Sequence, residues 1–232
     1  KSIFSLKESL KIKKKFGKAN IIIANNVFNH SNNPKNFLKG VNNLMNTNSI
    51  FIFEQPYFAS GLYSYKFDQI YHEHISYFTA KNIKSIIDRC GFKIISMNFN
   101  YYHGGSLRTT VVKKDSNIPK KENHKFIRKE YAQKIYNYKF YKDLFKTINF
   151  KKEKLVKKII YYRKKDYIIS GIGAGAKSNT FLTYYGLNNK FIHFLTDTSI
   201  YKKNKFTPLT RIPIKDDDEL KKYKKLICII LS

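Results

Sequence analysis

Among 232 residues the chain has no tryptophan, two cysteines, two methionines and five prolines, and only sixteen Asp and Glu against forty-five Lys and Arg. Cys90 and Cys228 are too few for a four-ligand zinc site. Each stands among isoleucines and is expected as a packed thiol, so no metal site is expected in this sequence. No apolar run reaches the roughly 18 residues that span a bilayer, and no signal-peptide pattern opens the chain. A soluble, cytoplasmic protein without a membrane partner is the resulting expectation. The shortage of acid leaves a formal charge of +29, which would ordinarily raise nucleic acid as a partner. The lysines, however, are scattered through nearly every segment together with Asn, Ile, Tyr and Phe, as in an AT-rich coding sequence. No helix-turn-helix, zinc-finger or aromatic RNA-binding signature accompanies them. No nucleic-acid partner is expected, and a small anionic substrate would profit from the same field.

What is present begins with a 42% apolar content, enough to bury a real core. Ala19 to Ala24 is a short β-branched run ending in Asn25-Asn26, the pattern of a buried parallel strand. Asn33 then caps a helix with Pro34 at its first position and Phe37, Leu38, Val41 and Leu44 on one face, before an Asn-Thr-Asn turn. The next strand is Ser49 to Glu54. Strand, helix, strand in this order is an α/β unit, and its ligands bind beyond the carboxyl ends of the strands, where Asn25, Asn26 and Glu54 lie. A second helix runs from the cap Thr79 to a glycine stop at Gly91. Strands Phe92 to Met97 and Ser106 to Val112 follow, joined through Tyr101-Tyr102-His103-Gly104-Gly105.

Between them lies Tyr71-His72-Glu73-His74, which packs a phenol, a carboxylate and two of the six histidines into four residues. A base, a group to orient it and a proton donor are thereby in one segment. From about Lys120 to Lys165 apolar residues recur at helical period among Lys, Tyr and Glu, which predicts one or two long helices with a solvated charged face. Then Gly171, Gly173 and Ala176 fit the G-x-G-x-x-A turn between a strand and a helix, and a strand from Phe191 to Thr196 ends at Asp197. The last residues, Leu226 to Leu231, read as a buried strand. With Lys1 rather than Met at the start, they suggest a piece of a longer protein. By themselves these features leave open a dinucleotide-dependent oxidoreductase and a non-catalytic nucleotide-sugar binding module.

Several segments occur together in one order: Ala24-Asn25-Asn26-Val27-Phe28-Asn29-His30, Phe53-Glu54-Gln55-Pro56-Tyr57, Phe67 to His74, His103-Gly104-Gly105-Ser106-Leu107-Arg108 and Gly173 to Asn179. Asp197-Thr198-Ser199 with Lys202, Pro208-Leu209-Thr210 and Ile212-Pro213 continue the series. In this the chain resembles the S-adenosylmethionine-dependent C-methyltransferases that act on nucleotide-linked keto-deoxysugars, nearly from end to end. It departs from them at Asn20, where they tend to show an aspartate, and at Leu209, where a glycine is usual.

The resemblance implies an α/β fold: residues 1–115 as the later half of a Rossmann-like methyltransferase domain, 116–165 as a helical connector, and 166–232 as a second Rossmann-like domain. It implies S-adenosylmethionine as cofactor and a nucleotide sugar as the small-molecule partner. Zinc is expected only in an N-terminal domain that this sequence does not contain, and the glycine-rich turn that grips the cofactor's methionine end is also absent. By resemblance His74 is the general base, Glu73 orients it or holds a sugar hydroxyl, and Tyr71 hydrogen-bonds near the keto oxygen. His30 reaches the same cavity. Asn25, Asn26 and Glu54 are expected on the cofactor, and Tyr57, His103, Arg108 and Lys177 on the substrate, whose diphosphate suits Arg and Lys.

Overall fold

Ser5 opens the first element of this computed structural model, which describes residues 3–119 and 124–231, the side chain of His103 excepted. Its Oγ accepts the Glu8 N–H at 3.3 Å and caps α1 (Leu6–Phe16). Sequence analysis left this helix unassigned, although Ser5-x-x-Glu8 has capping-box spacing. Helix α2 (Pro34–Leu44) begins as expected, with Asn33 accepting the Asn36 N–H at 3.0 Å and Pro34 at its start. The two helices meet at Gly40, where an added Cβ would stand 2.9 Å from the Ser5 carbonyl oxygen. Only a residue without a side chain admits α1 this closely.

Four strands form the first sheet: β1 (Ala19–Asn25), β2 (Met45–Pro56), β3 (Phe92–Asn100) and β4 (Ser106–Lys113), in the order β1-β2-β4-β3. The pair β1 and β2 is parallel, as strand-helix-strand predicts, and the remaining pairs are antiparallel. The expected turn at Asn46-Thr47-Asn48 lies inside β2. There the register jumps from Ala19–Met45 to Ile21–Ile50, and Ser49 Oγ closes the bulge by accepting from Asn46 N at 2.8 Å and donating to the Ala19 carbonyl at 2.6 Å. One face of the sheet buries Phe51, Phe53, Phe92, Leu107 and Val111 against α2 and α4 (Ala80–Arg89), between which comes the short α3 (Phe58–Tyr63). The run Ala19 to Ala24, expected as a buried strand, forms the edge strand β1, so Ile21 and Ile23 are 60% and 63% exposed.

Of the one or two long helices expected, one is α6 (Tyr138–Arg163), preceded by the short α5 (Lys125–Ala132). Phe126 and Ile127 of α5 pack on the first core, whereas Leu155, Val156 and Ile159 of α6 belong to a second one. The chain accordingly forms two compact units, residues 1–64 with 72–140 and residues 65–71 with 141–232. In the second, β5 (Ile168–Ile172), β6 (Phe194–Thr196), β7 (Ile214–Lys215) and β8 (Leu226–Ile230) make an all-parallel sheet ordered β7-β6-β5-β8, with α7 (Ala176–Tyr185) after β5. Two expectations fail here. Cys228 is exposed and so is Ile230, because β8 is an edge strand rather than a buried one. The strand expected from Phe191 starts at Phe194, since Phe191 and Ile192 turn back with their N–H groups on the Asn188 carbonyl.

Candidate active site

Phe28 and Phe78 are both buried and stack at 5.0 Å between ring centroids, which anchors the loop after β1 against the loop that carries His72, Glu73 and His74. The Asn29 carbonyl accepts the Ser76 N–H at 3.1 Å and ties the loops again. His30 and His74 are thereby brought together, ring centroids 5.3 Å apart and edge to face. His30 Nδ1 lies 2.6 Å from the Glu73 carbonyl oxygen. A carbonyl can only accept, so Nδ1 carries the proton, and Nε2 is the ring nitrogen that can serve as a base or acceptor. His74 also meets the Tyr77 ring, at 6.3 Å. The Glu73 backbone carbonyl thus orients His30. Both imidazoles are partly exposed, His72 and the Glu73 side chain more so. Tyr71 closes segment 65–71 of the second unit.

A second cluster stands at the carboxyl end of β2. Glu54 is buried and faces Arg108 across the β2–β4 register, while Ser106 faces Asn100 across β3–β4. The carboxylate accepts from Asn100 Nδ2 at 3.1 Å, Ser106 Oγ at 2.5 Å and Arg108 Nε at 2.8 Å. Burial pushes its pKa up, but the hydrogen bonds from Ser106 and Arg108, the Arg108 charge and the Asn100 bond outweigh that and hold it below the ordinary 4.5. Glu54 and Arg108, expected on cofactor and substrate respectively, are therefore partners of each other. The Arg108 side chain stays half exposed. Beside them the Asn26 N–H donates to the Glu54 carbonyl at 2.8 Å, with Asn26 at φ +52°. Neither Asn25 nor Asn26 has its side-chain amide engaged by another described residue, and Asn25 is exposed. Asn100 and Ser106 were missed in the sequence, though polar residues at strand ends facing Glu54 were the available signal.

Tyr57 is buried, and its hydroxyl donates to Glu130 Oε1 at 2.8 Å. Glu130 is fully buried on α5 and also accepts Ala80 N at 2.5 Å, Lys81 N at 3.1 Å and Tyr136 Oη at 2.6 Å. A carboxylate thus sits on the open N–H groups of α4, where the helix dipole favours it. Burial, then the Glu130 charge and hydrogen bond, drive the Tyr57 phenol far above its ordinary pKa, so it stays protonated. Sequence reasoning missed Glu130, one acid in a run of Lys and Tyr.

In the second unit β5 leads into the turn Gly173-Ala174-Gly175, with Gly173 at φ +94°, and α7 begins at Ala176. Asp197, expected to meet a ribose hydroxyl, closes this turn itself. Its Oδ2 accepts Ala174 N at 2.9 Å and Lys202 Nζ at 2.8 Å, and its Oδ1 accepts Ser199 N at 2.9 Å. Lys177 lies in the first turn of α7, partly exposed. Among the described residues no group of three or more His, Cys, Asp and Glu could hold a metal ion, and no helix is long and apolar enough to cross a membrane.

Residues 101–232, more than half of the chain, match the family model of the C-methyltransferase C-terminal domain. The chain belongs to the C-methyltransferase family. Residues 4–97 of this C-methyltransferase chain match a second model, the methyltransferase domain. It is 26% identical over 221 residues to the C-methyltransferase NovU of Streptomyces niveus, covering 91% of this chain and 50% of that protein. The chain therefore spans about half the length of that curated relative. Among solved structures it is similar to a SAM-dependent methyltransferase from Anabaena variabilis, at 15% identity and TM-score 0.36, covering 49% of this chain and 56% of that one. An O-methyltransferase family protein from Burkholderia thailandensis is similar at 10% identity and TM-score 0.36, covering 50% and 35%.

Proposed function

We propose that this chain is a catalytic part of an S-adenosylmethionine-dependent enzyme that methylates a carbon of a nucleotide-linked keto-deoxysugar in the cytoplasm. The carrying observation is the meeting of His30 and His74 at the end of a sheet in a chain of the C-methyltransferase family. Methylating carbon requires removal of a proton beside a ketone, and an imidazole with an unprotonated nitrogen at neutral pH can take it. His74 is that base. His30, held through Nδ1 by the Glu73 carbonyl, presents Nε2 beside it as a second acceptor. The Glu73 carboxylate holds a sugar hydroxyl, and the Tyr71 hydroxyl donates to the keto oxygen. His103 and Arg108 answer the anionic part of the substrate, and Tyr57 supports the site through its hydrogen bond to Glu130.

S-adenosylmethionine supplies an electrophilic methyl when bound. The residues present fit part of it: Asn25 and Asn26 carry unengaged amides at the carboxyl end of β1, suited to nucleoside hydroxyls and ring nitrogens. Glu54 accepts three hydrogen bonds of the roughly four a carboxylate can take, which leaves room for one donor from a ligand. Against a dinucleotide-dependent oxidoreductase stands Asp197, whose oxygens already serve the glycine turn and Lys202.

The test is transfer of labelled methyl from S-adenosylmethionine to a nucleotide-linked 4-keto sugar, with this chain joined to the remaining half found in its relative. Label in a carbon-bound methyl of the sugar is expected. Binding of the sugar nucleotide without transfer would instead favour a non-catalytic binding module.

A further inference from the structure

The end of α6 and the segment before β6 enclose a groove of about 270 Å³ lined by Ile160, Arg163, Lys164, Lys190 and Phe191. We propose that this groove is a nucleotide site, holding phosphates on Arg163, Lys164 and Lys190 and a base against Phe191 and Ile160. Its place separates it from the chemistry described above. Strands β5 and β6 begin at Ile168 and Phe194, next in sequence to these lining residues, whereas the Gly173 turn and Asp197 follow the carboxyl ends of the same strands. The groove therefore lies at the opposite end of the sheet from the glycine turn.

Three observations carry the proposal. The cations converge from two segments: Ile160 and Arg163 lie in the last turn of α6 with Lys164 directly after it, and Lys190 arrives from the segment after α7. A helix C-terminus favours basic residues on its own account, which would explain Arg163 and Lys164 but not Lys190. Next, none of the three makes an ion pair or a side-chain hydrogen bond with another described residue, so no carboxylate of the fold neutralises the groove. Last, the lining joins this charge to an aromatic ring and an aliphatic side chain, and the volume lies just below the roughly 300 Å³ at which small-molecule sites begin. Arg163 offers a planar fork for phosphate oxygens, and Phe191 a surface on which a base can stack.

Titration calorimetry of the full 232-residue chain with ATP at physiological salt tests this, with adenosine and inorganic phosphate as separate probes. ATP is expected to bind with a Kd of about 1 mM or tighter, and each separate probe at least about tenfold more weakly. Arg163→Ala and Lys190→Ala should each weaken ATP about tenfold, the loss of one charge-assisted contact. Lys146→Ala, ~25 Å away along the same helix, should leave it unchanged. Equal weakening by Lys146→Ala would overturn the site in favour of diffuse attraction to a basic protein. Unchanged binding in Arg163→Ala with unaltered circular dichroism would overturn it as well. Phosphate alone binding as tightly as ATP would refute the role of Phe191 and Ile160.

Discussion

The Nδ1–H of His30 is held by the backbone carbonyl of Glu73 at 2.6 Å, so a residue whose side chain faces solvent positions an imidazole through its main chain. This relationship makes the two histidines unequal. In the completed enzyme His74→Ala is expected to lower kcat by about 10²–10⁴-fold with cofactor affinity intact, the usual share of general acid-base catalysis. Glu73→Gln keeps the carbonyl and should leave the His30 geometry in place, raising KM for the sugar more than it lowers kcat. Steady-state kinetics of the two variants separate these effects, and near-normal turnover by His74→Ala would remove it from the mechanism.

Glu130 receives four hydrogen bonds in a fully buried position. Glu130→Ala leaves two hydroxyls and two helix N–H groups without their acceptor and should destabilise the chain by about 3 kcal/mol, with Tyr57→Phe costing about 1 kcal/mol. Urea unfolding measures both. A loss below about 0.5 kcal/mol for Glu130→Ala, the range of ordinary surface changes, would show that water replaces the carboxylate.

The depressed pKa of Glu54 gives the first unit an acid limit. Because the folded value lies below the ordinary 4.5, its contribution is complete above that pH and is lost as pH falls through the folded pKa. Unfolding free energy of the parent should therefore drop more steeply below about pH 4.5 than that of Glu54→Gln. Parallel curves for the two proteins would contradict the assignment. Asp197, held below its ordinary 3.8 by Lys202 and the Ser199 and Ala174 amides against the opposing effect of burial, adds a slope of the same sign in the second unit.

Gly40→Ala reverses a familiar sign. In a helix interior alanine normally stabilises by about 0.5–1 kcal/mol over glycine. Here the new methyl would lie 2.9 Å from the Ser5 carbonyl oxygen and 3.0 Å from its carbon, backbone atoms that cannot swing away. A destabilisation of about 1–3 kcal/mol is expected, read as a shift in the urea midpoint. Unchanged or increased stability would mean that α1 does not pack on α2 as described.

Much of the fold was legible because it is written in local chemistry. Asn33, Thr79 and the Pro34 start mark helices through hydrogen bonds and backbone angles that involve only near neighbours. The run before Asn25 and the glycine turn at Gly173 follow strand period and positive φ in the same way. Ser5 and Glu8 carried an equally local signal for α1 that was passed over. The exposure of Cys228 could not be read, because an apolar strand looks the same at an edge as in a centre, and only pairing tells them apart.

For the candidate site, residue types and their order along the chain point to His30, Glu54, His74 and Arg108. What each does depends on partners tens of residues away. Glu54 and Arg108 are separated by 54 positions and became an ion pair through the β2–β4 register. Glu130 reached Tyr57 across 73 positions. Sequence alone determined the elements, their caps and the reactive groups, since these follow from bonds within a few residues. Tertiary structure decided which oxygen of Glu73 orients which histidine, which carboxylates are saturated and which cations stand without one. Those are matters of distance and burial, and a linear pattern contains neither.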